Sequence, residues 1–127
     1  MSPGRESGQA TVEVALALPL LVTLILLVVQ VGIVVREQVA VVYATHEAVR
    51  AASLSDDVNA PMSAVERSGV LEMSKVTVQR GARGAPGSSV RVTVKYRAET
   101  DVPLVGLLLG DIELSSSATM RVEGDTG

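Results

Sequence analysis

The hydrophobic pattern changes period along the chain, and each change marks an element. From Val14 to Val35 there are 22 residues without a charge, broken only by Pro19 and by the polar Thr23 and Gln30. A helix rises about 1.5 Å per residue, so this run reaches roughly 33 Å, close to the roughly 30 Å hydrocarbon core of a bilayer. The rest of the chain is too small to surround such a helix on every side, which favours a membrane span over a buried core helix. Pro19 lies in its first turns, where a bilayer helix tolerates proline with a local kink if neighbours satisfy the freed carbonyl. Beyond the run, Arg36 to Leu54 holds no Gly or Pro. Val35, Val39, Val42, Tyr43, His46 and Val49 recur there at steps of three and four, the period of one helix face. Ala40, Ala44, Ala48 and Ala52 form an every-fourth ladder. Such a ladder lets another backbone approach closely, but alanine is also simply a strong helix former, and both readings stay open. One helix is expected from about Thr11 to Leu54, with half in lipid and half outside.

Ser55 to Ala60 breaks the pattern, with Asp56 and Asp57 as a polar break that offers a helix cap. A short helix is expected over Pro61–Met73, with Pro61 near its start and Gly69 weakening it. The period then falls to two. Lys75–Arg80 places Val76 and Val78 on one face. Ser89–Arg97 sets Val90, Val92, Val94 and Tyr96 against Arg91, Thr93, Lys95 and Arg97. Asp111–Glu123 aligns Ile112, Leu114, Ala118, Met120 and Val122. These are three half-buried strands, the first two forming a hairpin across the Gly-rich residues 81–87. Between the second and third, Val102–Gly110 is too apolar for a solvated loop, and is expected to fold back onto the helix or to touch membrane or a partner. The predicted class is α+β: a long N-terminal helix, half transmembrane and half extracytoplasmic, packed against a small three-stranded antiparallel sheet. The parts are an unstructured polar leader over residues 1–8, a transmembrane and extended helix over 9–54, and a small head over 55–127.

Composition narrows the chemistry. The 127 residues include no Cys and one His, so no disulfide framework, Cys-bearing zinc site or multi-His metal site can form. No metal and no cofactor are expected. A Ser–His–Asp unit would need His46, which lies on the apolar helix stripe and reads as a packing or interface residue. No phosphate loop is present, so no catalytic residue is expected and the chain is not read as an enzyme. The net charge of -3 gives no overall basic signal, and nucleic acid is not an expected partner.

The junction before the apolar run carries the most specific arrangement. Gly8-Gln9-Ala10-Thr11-Val12-Glu13 closes a short polar stretch, places a glutamate five residues after a glycine, and opens the span. This resembles the N-terminus of type IV pilin-like proteins. The longer run Gly8 to Pro19, with its Val12-Glu13 pair, Ala/Leu stretch and proline, resembles TadE-like pseudopilins of tight adherence (Tad/Flp, type IVb) pilus systems. The last strand, Leu114 to Glu123, is similar to that family's ending. The sequence departs from the family in having Val14 where an aromatic often follows the glutamate, and in lacking the cysteine pair of many members. The resemblance implies cleavage by a prepilin peptidase between Gly8 and Gln9, and a role for Glu13 in subunit register. A carboxylate in an apolar segment costs about 2.5–3.5 kcal/mol at mid-bilayer and less near its edge. Pairing with the free amine of a neighbouring subunit offsets this.

The partners implied are the peptidase, a sister pseudopilin, the major Flp pilin, the inner-membrane assembly platform and membrane lipid. The implied location is the bacterial cytoplasmic membrane, single-pass with the C-terminal head outside, extending to the pilus fibre or cell surface. Charge counts on the two flanks do not set this orientation. The implied function is that of a minor pseudopilin in assembly or priming of the pilus. The alternative is a bitopic membrane-anchored extracytoplasmic binding module not linked to a pilus. A cleaved secretory signal is disfavoured, because its apolar core should be about 7–15 residues.

Charge also segregates in the head. Lys75, Arg80, Arg83, Arg91, Lys95 and Arg97 occur with no acid between 75 and 97, whereas from Glu99 onward there are six acids and one base, Arg121. Pairing of Arg91, Lys95 and Arg97 with Asp111, Glu113 and Glu123 across strands is one reading. A surface patch of Arg91, Lys95 and Arg97 that touches an anionic wall polymer, DNA or another subunit is the other.

Overall fold

The computed structural model describes residues 3–100 and 105–123. Its spine is α1, Pro3–Leu54, 52 residues long. The helix starts at Pro3 and not near Thr11, so residues 3–8, expected to be an unstructured leader, continue the helix. Proline suits a first helical turn, where its missing N–H would be unsatisfied anyway. One glycine costs only about 1 kcal/mol against alanine, too little to stop propagation from so long a helix. The Thr11 hydroxyl donates to the Ser7 carbonyl at 2.8 Å, and the Thr23 hydroxyl to the Pro19 carbonyl at 2.8 Å. These bonds let both hydroxyls lie along an apolar helix without an unmet donor.

The first half of α1 touches almost nothing. Leu16, Leu20 and Val28 are among its large side chains left exposed. The second half is one-sided. Val41, Ala44, Thr45, Ala48, Val49, Ala52 and Ser53 are buried, whereas Val35, Val39, Val42, Tyr43 and His46 are exposed. This corrects the apolar stripe read from spacing: of that set, only Val49 is buried, and His46 is not a packing residue within the chain. The sheet chose the alanine-bearing face because small side chains admit the closest approach of a second layer. The two polar residues on that face are no obstacle. Thr45 donates to the Val41 carbonyl at 2.7 Å and Ser53 to the Arg50 carbonyl at 2.7 Å.

After the break, α2 covers Ala60–Ser68, shorter than the expected Pro61–Met73. Gly69 ends it, with φ 65° and its N–H on the Glu66 carbonyl. This left-handed position is available to glycine at little steric penalty, so the residue expected to weaken the helix terminates it. A short 3-10 turn, Met73–Lys75, leads into the sheet. The strands are β1 (Val76–Arg80), β2 (Ser89–Ala98) and β3 (Ile112–Arg121), all antiparallel in the order β1-β2-β3. Register pairs Val94 with Val78 on one side and with Ser116 on the other. Val90, Val92, Val94 and Tyr96 of β2 meet Val41, Ala44, Ala48, Val49 and Ala52 of α1 in one core with Val65, Leu71, Leu114 and Val122. A five-residue helix, α3 (Val105–Leu109), lies between β2 and β3. The fold is the expected α+β arrangement of one long helix and a three-stranded antiparallel sheet.

The far end of α1 has no basic residue in its last turn. Arg83 supplies one from the β1–β2 loop. Its side chain donates to the carbonyls of Ala52 at 3.1 Å and Ser53 at 3.3 Å, and it also pairs with Asp56. A cation there satisfies terminal carbonyls and complements the helix dipole. Arg83→Met should lower the unfolding free energy of the head by about 1.5–3 kcal/mol, the usual worth of hydrogen bonds made by a charged group. Asp56 is almost fully exposed, so Asp56→Asn should cost under about 1 kcal/mol. Urea denaturation of the detergent-solubilised protein reads both, and equal losses would place the contribution in the ion pair and not in the cap.

Candidate functional site: the amino-terminal helix and the outer sheet face

Gly8, Gln9 and Glu13 lie on one continuous, solvent-facing stretch of α1. A Cβ built on Gly8 would meet nothing within 4 Å, so no packing within the chain requires glycine there. Among the described residues no side chain forms an ion pair with Glu13. Directly above it, Val14, Leu18, Leu21 and Leu24 are exposed. The arrangement is a carboxylate at the edge of an uncovered apolar cylinder. By length and composition α1 is suited to cross a membrane.

The alanine ladder divides. Ala44, Ala48 and Ala52 are fully buried against the sheet, and Ala40 is partly buried at its margin. The backbone that they admit is therefore the chain's own.

The outer face of the sheet is polar throughout. From β2 it carries Arg91, Thr93, Lys95 and Arg97, and from β3 Glu113, Ser115, Ser117 and Thr119. Cross-strand charge pairing occurs at one of the three cations. Arg97 meets Asp111, with Nη2 to Oδ2 at 3.0 Å. Arg91 instead donates to the Thr119 hydroxyl at 3.2 Å, and Lys95 stands opposite Ser115 and Thr77. The register explains the difference: it brings Ser115 and Thr119 to the positions where acids were expected, and Glu123 lies past the strand's end. Thr93 and Ser117 share a hydrogen bond of 2.8 Å between Arg91 and Lys95.

At the near end of the sheet Lys75 Nζ bridges Glu72 at 3.0 Å and Glu99 at 3.3 Å. The hydrogen bond to Lys75 holds the Glu72 carboxyl below its usual range, and Glu72 raises the Lys75 ammonium above its own. Tyr96 is buried beneath them. Burial first, and the Glu37 carboxylate second, push its phenol above the ordinary tyrosine range. His46 is exposed on the opposite side of α1. Among the described residues no cluster of three or more His, Asp or Glu is placed to hold a metal ion.

Two features escaped the sequence reading. Arg83 sat in a segment read as loop by composition. The burial of Gln30 was masked by its place in an otherwise uniform apolar run.

The geometry defines an α+β protein whose head is built on the continuation of its own candidate membrane anchor. Residues 8–50 match the family model described as TadE-like protein, and over this segment the chain is similar to that family. The match opens at Gly8 and ends within the sheet-packed half of α1. No curated protein and no solved structure matches the chain.

Two outcomes follow from this geometry. Ala48→Leu should destabilise the head by about 1–3 kcal/mol through overpacking. Val39→Leu, on the exposed side, should stay within about 0.5 kcal/mol. Equal effects in denaturant melts would contradict the one-sided packing. The Tyr96 phenol favours its neutral form in the folded chain, so its contribution is intact below the ordinary tyrosine pKa of about 10 and is lost as pH rises through the raised value. Alkaline titration followed by phenolate absorbance should show a late component that Tyr96→Phe removes. A Tyr96 that ionises as readily as in the urea-unfolded chain would refute this.

Proposed function

We propose that this protein is a minor pseudopilin of a Tad/Flp-type type IVb pilus, taking part in its assembly or priming. One observation carries the proposal: the TadE-like match begins at Gly8, with Glu13 five residues on and the uncharged run directly after it. In this reading residues 1–8 are a leader, 9–54 the transmembrane and extended helix, and 55–127 the extracytoplasmic head. A prepilin peptidase cuts between Gly8 and Gln9 on the cytoplasmic side. The new Gln9 amine becomes a cation at the membrane edge, and Glu13 is the fifth residue of the mature chain.

The chemistry of Glu13 supports a role in register. A carboxylate at the border of an apolar segment has little to gain from lipid and much to gain from an ammonium partner. The Gln9 amine of its own helix lies one turn away, but only pairing with a neighbouring subunit's amine would also fix axial position. The protein performs no chemistry itself. Its partners are the peptidase, a sister pseudopilin, the major pilin and the inner-membrane platform.

The test is the intact mass of the protein from its own membranes, with and without Gly8→Val. Nothing packs on Gly8, so the substitution leaves the fold alone and changes the cleavage site only. Loss of residues 1–8, restored to full length by Gly8→Val, is expected. Full-length mass in both proteins would end the pilin reading. Glu13→Ala should be inserted and cleaved like the parent but fail to support pili, as scored by electron microscopy of cells. Normal pili from that strain would remove the register role.

A further inference from the structure

The connection between β2 and β3 lies at a definite level along α1. Gln38 donates to the Ser115 carbonyl at 3.4 Å. Farther out, the Ser53 hydroxyl contacts the Met120 sulfur at 3.4 Å, and the Glu123 N–H donates to the Ser53 carbonyl. β3 therefore runs alongside α1 in the same direction, and its first residue, Ile112, points back along the apolar run. Gln38 is three helical residues, about 4.5 Å, beyond Val35. Ile112 is three strand residues, about 10 Å, behind Ser115. The start of β3 thus falls level with the last turn or two of the uncharged segment, and α3 precedes it and touches α1.

Burial on α1 agrees with this placement. Gln30 is 3 % exposed, although Val29 and Val31 on either side are 48 % and 62 % exposed. The near end of the head reaches down over the helix face that carries Gln30. α3 itself is a built hook. Gly110 closes it with φ 63°, and its N–H donates to the Gly106 carbonyl at 3.2 Å. The Thr100 hydroxyl donates to the Gly110 carbonyl. A Cβ on Gly106 would stand 2.7 Å from the Thr100 carbonyl oxygen, so the chain passes there with no room for a side chain.

With its base pinned in this way, the hook presents Leu107 at 88 % exposure and Leu108 at 73 %. These are among the most exposed large hydrophobic side chains of the head, and they occur at its membrane-facing end. No charged residue lies between Val102 and Gly110 in the sequence. In sequence this stretch is flanked by Asp101 and Asp111, and Asp111 pairs with Arg97.

We propose that α3 is a lipid-inserted hook, with Leu107 and Leu108 seated among acyl chains of the leaflet on the head's side, beside the spanning helix. The proposal rests on reading Val14–Val35 as the membrane span, and it adds a second point of contact between the head and the bilayer. Transfer of two exposed leucines from water into an apolar phase favours the seated state. Two points of attachment on one rigid body hold the head against the bilayer surface and limit rotation of α1 about its own axis.

The absence of cysteine allows a clean test. Single cysteines at Leu107, Leu18 and Thr119 are spin-labelled in the full chain, reconstituted in phosphatidylcholine/phosphatidylglycerol vesicles. Collisions with lipid-soluble oxygen and with an aqueous nickel chelate are then measured. The Leu18 label should report the bilayer interior, the Thr119 label water, and the Leu107 label an oxygen-rich, nickel-poor depth in the outer part of one leaflet. A Leu18 label in lipid with a Leu107 label open to nickel would overturn the hook and leave the span standing. A Leu107 label shielded from both reagents would overturn it in favour of a protein contact, such as a second copy. A Leu18 label open to nickel would remove the span and the hook together.

Discussion

The head depends on close packing of the sheet against the α1 face that carries Ala44, Ala48 and Ala52. Ala44, Ala48 and Ala52 are fully buried under β2. Side chains so small bring the sheet close, and the valines at 90, 92 and 94 pack in one core with them. A chain with 2 % aromatic residues has few large side chains with which to bridge a wider gap. It fills a shallow interlayer space with valine, whose branched side chain is stiff in both strand and helix. Density is reached by shortening the distance, not by enlarging the side chains.

That choice also determines which polar groups become buried. The face that carries the alanines carries Thr45 and Ser53 as well, and both are satisfied within α1 by bonds to carbonyls three and four residues back. The stripe of Val35, Val39 and Val42 is more apolar, yet it remains exposed. Transfer of its valines from water would have gained area, but that stripe lacks the alanines that let the sheet approach between Val41 and Val49. Packing at contact distance outweighs the larger apolar area, because dispersion falls off steeply with a gap of even half an ångström. Arg83 then closes the end of the same helix from a loop, where three glycines at 81, 84 and 87 give the chain room to turn back towards α1.

Much of this was legible in the sequence. The uncharged run, the three alternating strands and the hairpin follow from period alone, and the observed strands differ from the expected ones by a residue or two at their ends. The face of α1 that packs was not legible from hydrophobicity, because two overlapping patterns competed. The alanine ladder pointed one way and the valine stripe another, and only the partner layer decides between them. The pairing of Arg91 and Lys95 was likewise a matter of register. A shift of two residues along β3 would have set Glu113 in place of Ser115 opposite Lys95, and alternation is blind to such a shift. The start of α1 at Pro3 was hidden by a glycine that a local reading takes as a break, although a long helix carries its hydrogen bonding through it. The N-terminal site was legible as a motif, and the fold adds that among the described residues no contact constrains Gly8 and no ion pair engages Glu13.

One helix therefore meets two environments with two different rules. From Val14 to Val29 its faces are apolar and largely uncovered, as a membrane span would require. In its second half one face is dry and close-packed, and the other keeps its valines open. The two halves share a single rigid axis with no glycine or proline between Ile33 and Leu54. A displacement of the candidate anchor along this axis would therefore be carried to the sheet. A head mounted in this way has no flexible joint with which to adjust its height above a membrane, so its height is set when the helix seats. The hook at α3 lies where such a setting is felt most directly, beside the last turns of the uncharged run. There a change of one helical turn in depth, about 5.4 Å, would move its leucines between hydrocarbon and headgroups.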